Sequence, residues 1–267
     1  MPELPEVETI ARTLRAGTTP LLGRAIQRAE VRWPREVTGM SAAAFEARLR
    51  GARVEAIGRH GKYLVLALPP AGHLLIHLRM SGRLDVVAAA EADTPHARVL
   101  WWLDDGHVLR FDDARKFGRV WLVDDPAEVL QALGPDALDL GVDDFRARLA
   151  GKRGALKPLL LDQRVVAGIG NIYADEALWR ARLSPLRAAA GMRATTAGRL
   201  HAAVQEALHA GLAANGASID WVYPGGNFQN DFKAYGRTGQ PCLRCGRPIR
   251  RIVVGQRATH FCPHCQT

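Results

Sequence analysis

An α+β, multidomain fold is what this chain predicts, and three observations carry the prediction. Short apolar or alternating runs crowd the stretch before about residue 130, helical periodicity takes over from about residue 143, and all four cysteines sit in two close pairs near the end. With 267 residues, two or three units are expected, and there is ample chain for at least one real core. In the opening "MPELPEVETI", Val7, Ile10 and Leu14 recur at helical spacing, Pro5 suits a first turn and Gly17 suits a stop. A short amphipathic helix therefore begins almost at once, and by pattern alone the first residues are an ordinary helix leader. "SAAAFEARLRG" reads as a second helix, with Ser41 as cap and Gly51 as stop. Strands follow in "KYLVLAL", "HLLIHLRM", "RVLWWL", "HVLRF" and "RVWLV", with Asp104, Asp105 and Gly106 as a hairpin signal between the third and fourth. The helical half consists of "DDFRARLAG", "LKPLLLDQ", "NIYADEALWRARL" and "TTAGRLHAAVQEALHAGLAANG", after which the glycine-rich "VYPGGNF" leads to the cysteines.

Bulk properties narrow the function class. Hydrophobic content is 48%, yet even "YLVLALPPAGHLLIHL" is broken by two prolines, a glycine and histidines, so no membrane span is predicted. The opening has neither the charge and apolar run of a secretory signal nor the acid-free composition of a mitochondrial presequence, so a cytosolic protein is expected. A net charge of +9 points to a polyanionic partner, with nucleic acid ahead of anionic lipid. The plain alternative is a solvated basic surface, but the charge is concentrated. No acid follows Asp231, whereas Arg237, Arg244, Arg247, Arg250, Arg251 and Arg257 do.

In "CLRCGRPIRRIVVGQRATHFCPHC", sixteen residues separate the pair Cys242 and Cys245 from the pair Cys262 and Cys265. This is the spacing of a zinc ribbon, in which two turns each offer two thiolates to one tetrahedral ion. Disulfides are the competing reading, and the reducing cytosol disfavours them. Four cysteine ligands leave no open position, so one structural Zn2+ is expected, with His260 and His264 as bystanders. Upstream, "VVAGIGNIYADEAL" offers a turn at Gly168 and Gly170, and the N–H groups of the next helix start, with the Asn171 amide, suit a phosphate.

Taken together, "PELPEVET", "GRHGKYL", "HLRMSG", "DARKFG", "KPLLLDQRVVAGIGNIYADEAL" and "QRATHFCPHCQ", in this order along nearly the whole chain, resemble the formamidopyrimidine-DNA glycosylases. These are bacterial base-excision repair enzymes that remove oxidised purines and then cut the strand. The resemblance implies an N-terminal β-sandwich over 1–132, a helix-two-turn-helix domain over 133–228 and a zinc-bearing hairpin over 229–267. It implies removal of Met1, attack of the Pro2 amine on the sugar, and proton transfer by Glu3. An α-amine has an ordinary pKa of about 8, so it is partly neutral at cellular pH and needs no deep burial to act as a nucleophile. Lys62 resembles the proton donor for β-elimination, and Arg257 the phosphate-gripping arginine of the zinc hairpin, also assigned δ-elimination. Glu6 resembles an acid lining the lesion pocket.

Removing a base from the stack leaves a gap costing a few kcal/mol unless something fills it. Met80, Phe117 and Arg115 match the family's fillers, the last by bonding the orphaned partner base; a methionine or phenylalanine near a strand end is otherwise a core residue. His77, His96, Arg153 and Asn171 match backbone-contact positions, and Lys157 and Tyr235 match further ones. The implied partner is double-stranded DNA carrying oxidised purines or abasic sites, bound by a monomer in the bacterial cytosol or nucleoid, with no membrane. Two departures stand out: 216–228 looks several residues shorter than the stretch that closes over the everted purine in the family, and Lys116 follows Arg115. An endonuclease VIII-type enzyme for oxidised pyrimidines is the nearest rival, disfavoured by Leu4 and by the Met80, Arg115 and Phe117 set. A non-catalytic zinc-dependent DNA-binding protein is the other, disfavoured by Pro2, Glu3 and Lys62.

Overall fold

The computed structural model describes residues 1–218 and 225–267. Residues 219–224, at the centre of the stretch expected to be shortened, lie outside the described residues. Two compact units emerge. Among the described residues, the first comprises Met1–Pro2, Glu6–Gln131 and Ser218; the second comprises Glu3–Pro5, Ala132–Ala217 and Gly225–Thr267.

In the first unit, α1 (Leu4–Ala16) enters from Leu4–Pro5 of the other unit and buries Val7, Ile10, Ala11 and Leu14, the i, i+3, i+4, i+7 stripe of an amphipathic helix. Its end is closed by the Gly17 N–H on the Thr13 carbonyl at 2.8 Å. β1 (Ile26–Val31) and β2 (Val37–Thr38) follow, then α2 (Ala42–Leu49), whose Ser41 cap accepts from the Ala44 N–H at 3.2 Å. The remaining strands are β3 (Ala56–His60), β4 (Tyr63–Ala67), β5 (His73–His77), β6 (Gly82–Ala88), β7 (Ala97–Leu103), β8 (His107–Asp113) and β9 (Arg119–Val123); α3 (Ala127–Leu130) closes the unit.

The strands form two sheets, in orders β1-β7-β8-β6 and β2-β9-β5-β4-β3. Leu64, Leu66, Leu74, Ile76, Val120 and Leu122 of one sheet share a core with Val99, Trp101, Leu109 and Phe111 of the other, and α1 and α2 contribute to it. This is a β-sandwich with flanking helices. The β7–β8 hairpin turns at Asp104, Asp105 and Gly106 as the sequence predicts, with Gly106 N–H on the Leu103 carbonyl. β1, β2, β3 and β6 carry no apolar run of their own. "IQRAEV" and "GRLDVVA" become strands because β7 and β8 pair with them.

In the second unit, α4 (Val142–Leu149), α5 (Leu156–Leu161), α6 (Asn171–Ala181) and α7 (Ala194–Ala213) form the helical part, with α6 packed against α5 and α7, and α4 against α7. Residues Ile172 to Trp179 of α6 are all buried, Asp175 and Glu176 included. A hairpin of β10 (Arg250–Val254) and β11 (Arg257–Phe261) turns at Gly255 and Gln256 and packs against α6. No described helix is long and apolar enough to cross a membrane.

Candidate functional site

In the first unit, the β3–β4 turn holds Lys62. Gly61 (φ +56°) and Lys62 form a two-residue turn between the paired His60 and Tyr63, and the leading glycine with positive φ is the pattern of a type II′ hairpin. Its brace comes from α1. Glu8 accepts from Arg59 Nε at 3.1 Å and from Arg15 at 3.0 Å, and Arg59 also donates to the Gly61 carbonyl at 3.1 Å. Burial pulls the Glu8 carboxyl up, but the Arg12, Arg59 and Arg15 guanidiniums outweigh it and hold the group below the usual carboxylate range.

Lys62 is buried, and its neighbour residue Tyr63 pairs with His77, whose ring meets the Tyr63 ring edge-on at 4.6 Å. Burial, helped by the charges of Arg79 and Lys62, pushes the His77 imidazole down to about 3. His77 is therefore neutral at cellular pH. Because its Nδ1 accepts the Arg79 N–H at 3.0 Å, the proton sits on Nε2, leaving a hydrogen-bond donor without charge. Pro2 and Glu6 are also buried in this unit, behind an exposed Met1.

Met80 and Phe117 are 42% and 45% exposed, which excludes the core reading that such residues ordinarily deserve. The Arg115 guanidinium lies over the Phe117 ring at 4.8 Å. The turns carrying these residues meet at Asp113, a wholly buried residue the sequence reading overlooked. His96 is exposed, and its carbonyl accepts from the Asp113 N–H at 2.9 Å. Below the same turn, Glu36 is fully buried with neither carboxyl oxygen hydrogen-bonded. Burial, then the Asp113 charge, pushes it up to about 8.

The second unit explains the "AGIGN" stretch differently from the sequence reading. Glu3 occupies the helix start: its Oε1 accepts from the Ile172 N–H at 3.0 Å and its Oε2 from the Tyr173 N–H at 3.3 Å. Leu4 N–H bonds the Gly168 carbonyl at 3.1 Å. A Cβ on Gly170 would lie 2.2 Å from the Glu3 carboxyl carbon, so only glycine admits this approach. Two of the first-turn N–H groups of α6 that suited a phosphate, those of Ile172 and Tyr173, thus serve Glu3. Asn171 donates from Nδ2 to the Ala258 carbonyl at 3.0 Å, which joins it to the residue following Arg257.

Arg257 itself opens β11 and is exposed; Arg153 lies exposed in the loop between α4 and α5. Lys157, matched to a backbone contact, is instead fully buried, with Nζ 2.6 Å from Asp175 and 2.8 Å from the Ala258 carbonyl. Asp175 also accepts from the His260 N–H and ring Nδ1, and His260 is not part of the cysteine cluster. Tyr235 packs edge-on against His260. Two adjacent acids in the apolar "NIYADEAL" were the available signal for this buried network.

The sulfur atoms of Cys242, Cys245, Cys262 and Cys265 lie within 4.8 Å of one another, none in a disulfide. Four thiolates about 2.3 Å from one tetrahedral ion stand about 3.8 Å apart, so the set fits one structural zinc, whose chemistry is to hold the fold. Three family models match the chain: the formamidopyrimidine-DNA glycosylase N-terminal domain over residues 1–120, the H2TH domain of the same enzymes over 132–222, and the zinc finger found in FPG and IleRS over 239–267. The formamidopyrimidine-DNA glycosylase of Herpetosiphon aurantiacus is 44% identical over 100% of both chains. The crystal structure of the MutM (Fpg) protein of Thermus thermophilus superposes with a TM-score of 0.88 at 39% identity, covering 99% of this chain and 98% of that one. The Fpg of Lactococcus lactis, solved with a DNA containing N7-benzyl-Fapy-dG, does so at 0.92 and 34% identity, covering 99% of each.

Proposed function

The chain belongs to the formamidopyrimidine-DNA glycosylase family, and on that premise we propose that it everts and excises oxidised purines, 8-oxoguanine and formamidopyrimidines among them, and then cleaves the strand. Base-excision repair glycosylase activity follows from the family; the substrates and the lyase step are the proposal. Once Met1 is trimmed, the Pro2 secondary amine adds to the deoxyribose C1′, the base departs and the opened sugar is left as an iminium. That cation acidifies the neighbouring C2′ protons, whose loss expels the 3′ phosphate, and a second elimination expels the 5′ phosphate. Glu3 moves protons at the sugar, Lys62 donates one during β-elimination and grips phosphate, and Arg257, always charged, grips phosphate near the lesion and serves δ-elimination.

Glu6 lines the lesion pocket. Met80, Arg115 and Phe117 fill the vacated stack and meet the orphaned base, while His77, His96, Arg153 and Asn171 contact the DNA backbone. A neutral His77 donates to a phosphate from Nε2. Cys242, Cys245, Cys262 and Cys265 hold the zinc. We assign residues 1–132, 133–228 and 229–267 to sandwich, helical and zinc domains, and a monomer working on nucleoid DNA in the bacterial cytosol, in keeping with the bacterial relatives and the +9 charge.

The observation that carries this reading is the anchoring of Glu3: both carboxylate oxygens are held by backbone N–H groups, so the residue bonded to Pro2 has one position. The test is borohydride capture on duplexes holding 8-oxoguanine, an oxidised pyrimidine or an abasic site. The expected result is an adduct at Pro2 with the first and third, lost in Pro2→Gly while duplex affinity stays within about 3-fold. Preference for the pyrimidine lesion would point to the endonuclease VIII type, and absence of any adduct to a binding protein.

A further inference from the structure

Two turns carry the exposed fillers, and both are built on one carboxylate. Ser81, next to Met80, donates its hydroxyl to Asp113 Oδ1. The same oxygen accepts the Arg115 N–H at 3.2 Å, and Oδ2 accepts the Gly118 N–H at 2.6 Å. Arg115 N–H also reaches Ser81 Oγ at 3.2 Å, closing a triangle between the turns. Asp113 is itself immobile: its residue pairs with Gly82 across β6 and β8, its N–H bonds the His96 carbonyl, and its carbonyl accepts Arg98 Nε at 2.8 Å.

The turns need such a hold. Arg79 (φ +53°) and Lys116 (φ +59°), neither of them glycine, sit in the left-handed region immediately beside Met80 and Arg115. Such residues persist only where the surroundings dictate them. Above the β6–β8 pairing at their bases, the side-chain bonds described between the methionine turn and the arginine turn run through this carboxylate and Ser81.

We propose that Asp113 is a positioning residue that sets the spacing between the Met80 wedge and the Arg115–Phe117 pair, and thereby governs how strictly the protein discriminates the base opposite the lesion. The proposal rests on the functional reading above, in which those residues enter the duplex. A bidentate or otherwise well-placed arginine contact distinguishes bases only when its donors arrive within a few tenths of an ångström of the acceptors. Asp113 touches no DNA in this account; it acts through Ser81, Arg115 and Gly118. Asparagine at this position must turn its N–H2 toward at least one of the three donors, so at least one tie is lost whichever way the amide lies.

The test uses the whole zinc-bearing enzyme with Asp113→Asn and, separately, Ser81→Ala. Single-turnover excision of 8-oxoguanine from a duplex is expected to fall about 10-fold in Asp113→Asn, with the preference between dC and dA opposite the lesion shrinking about 5-fold. Ser81→Ala moves both in the same direction, by about 3-fold. On a single strand with an abasic site there is no gap to fill and no partner base, so both variants form the borohydride adduct within about 2-fold of wild type.

Equal losses in the two assays, or an unaltered opposite-base preference, overturn the proposal. Should Asp113→Asn fail to fold, Ser81→Ala decides alone: an unaltered preference in that variant overturns the proposal, and a shifted one supports it. A wild-type protein that forms no adduct on either substrate overturns the functional reading, and this proposal with it, which separates the two failures.

Discussion

Two surface features of this protein solve the same problem by opposite means. The cysteine-bearing end of the second unit, which presents Arg257, is held by a four-sulfur set and by the buried Lys157–Asp175 pair. The turn of residues 113–118 in the first unit, which presents Arg115 and Phe117, is held by one carboxylate and three hydrogen-bond donors. The first device encloses an ion pair and binds sulfur to metal, the latter with an energy that dwarfs a hydrogen bond; the second relies on contacts worth about 1 kcal/mol each. The contrast teaches that an exposed arginine can be presented by coarse, strong fixation, as Arg257 is, or by fine, weak and numerous ties, as Arg115 is.

Removing the metal is the largest way to break this comparison. Structural zinc in small fingers is worth about 10–16 kcal/mol, so chelation is expected to unfold the 239–267 hairpin and reduce duplex affinity about 100-fold or more, while the helical signal of α4 to α7 is largely kept. Anisotropy titration beside circular dichroism, with zinc loss verified, checks it; unchanged affinity would reject the role given to the zinc hairpin.

Lys157→Met sharpens it. Burial pulls the Lys157 ammonium below the ordinary lysine value in spite of Asp175, yet the pair is the seat of Ala258. Breaking one side of a wholly buried pair costs about 3–5 kcal/mol. Urea denaturation should register that loss with one zinc still bound, which would show that the metal and the ion pair anchor the hairpin separately.

The smallest effect belongs to the first unit. The folded protein keeps a proton on Glu36 up to about pH 8, whereas the unfolded chain releases it near 4.5. The folded state binds the extra proton, so the Glu36 contribution to stability weakens as pH rises through that window and levels off above it. Glu36→Gln removes this slope. Its advantage over wild type is expected to grow by about 2–3 kcal/mol between about pH 6 and about pH 9, read from denaturant midpoints. A constant difference would mean that Glu36 does not titrate there.

Legibility in the sequence follows the same division. The cysteine pairs announce their ligand set because metal chemistry demands particular residues at particular spacings, and the five apolar strands announce themselves because each is apolar on its own account. β1, β2, β3 and β6 do not, since "IQRAEV" and its like gain strand form only from the neighbours that pair with them. The Asp113 latch was illegible for a related reason: an aspartate opening "DARKFG" looks like any turn residue until Ser81 is seen opposite it. Glu3 was legible as a matched position but not as a helix cap, because its partners lie 169 and 170 residues downstream. Lys157 was legible as a matched position but not as a buried one, because its partners Asp175 and Ala258 lie 18 and 101 residues downstream.

The long reach of Glu3 has a consequence for how the molecule comes into being. Glu3 leaves the ribosome well ahead of the amides that fix it, which belong to Ile172 and Tyr173, 169 and 170 residues further on. During synthesis that segment must wait, unanchored, until those intervening residues have been made. The Glu3 carboxylate is thus set in place only when the helix that must hold it already exists.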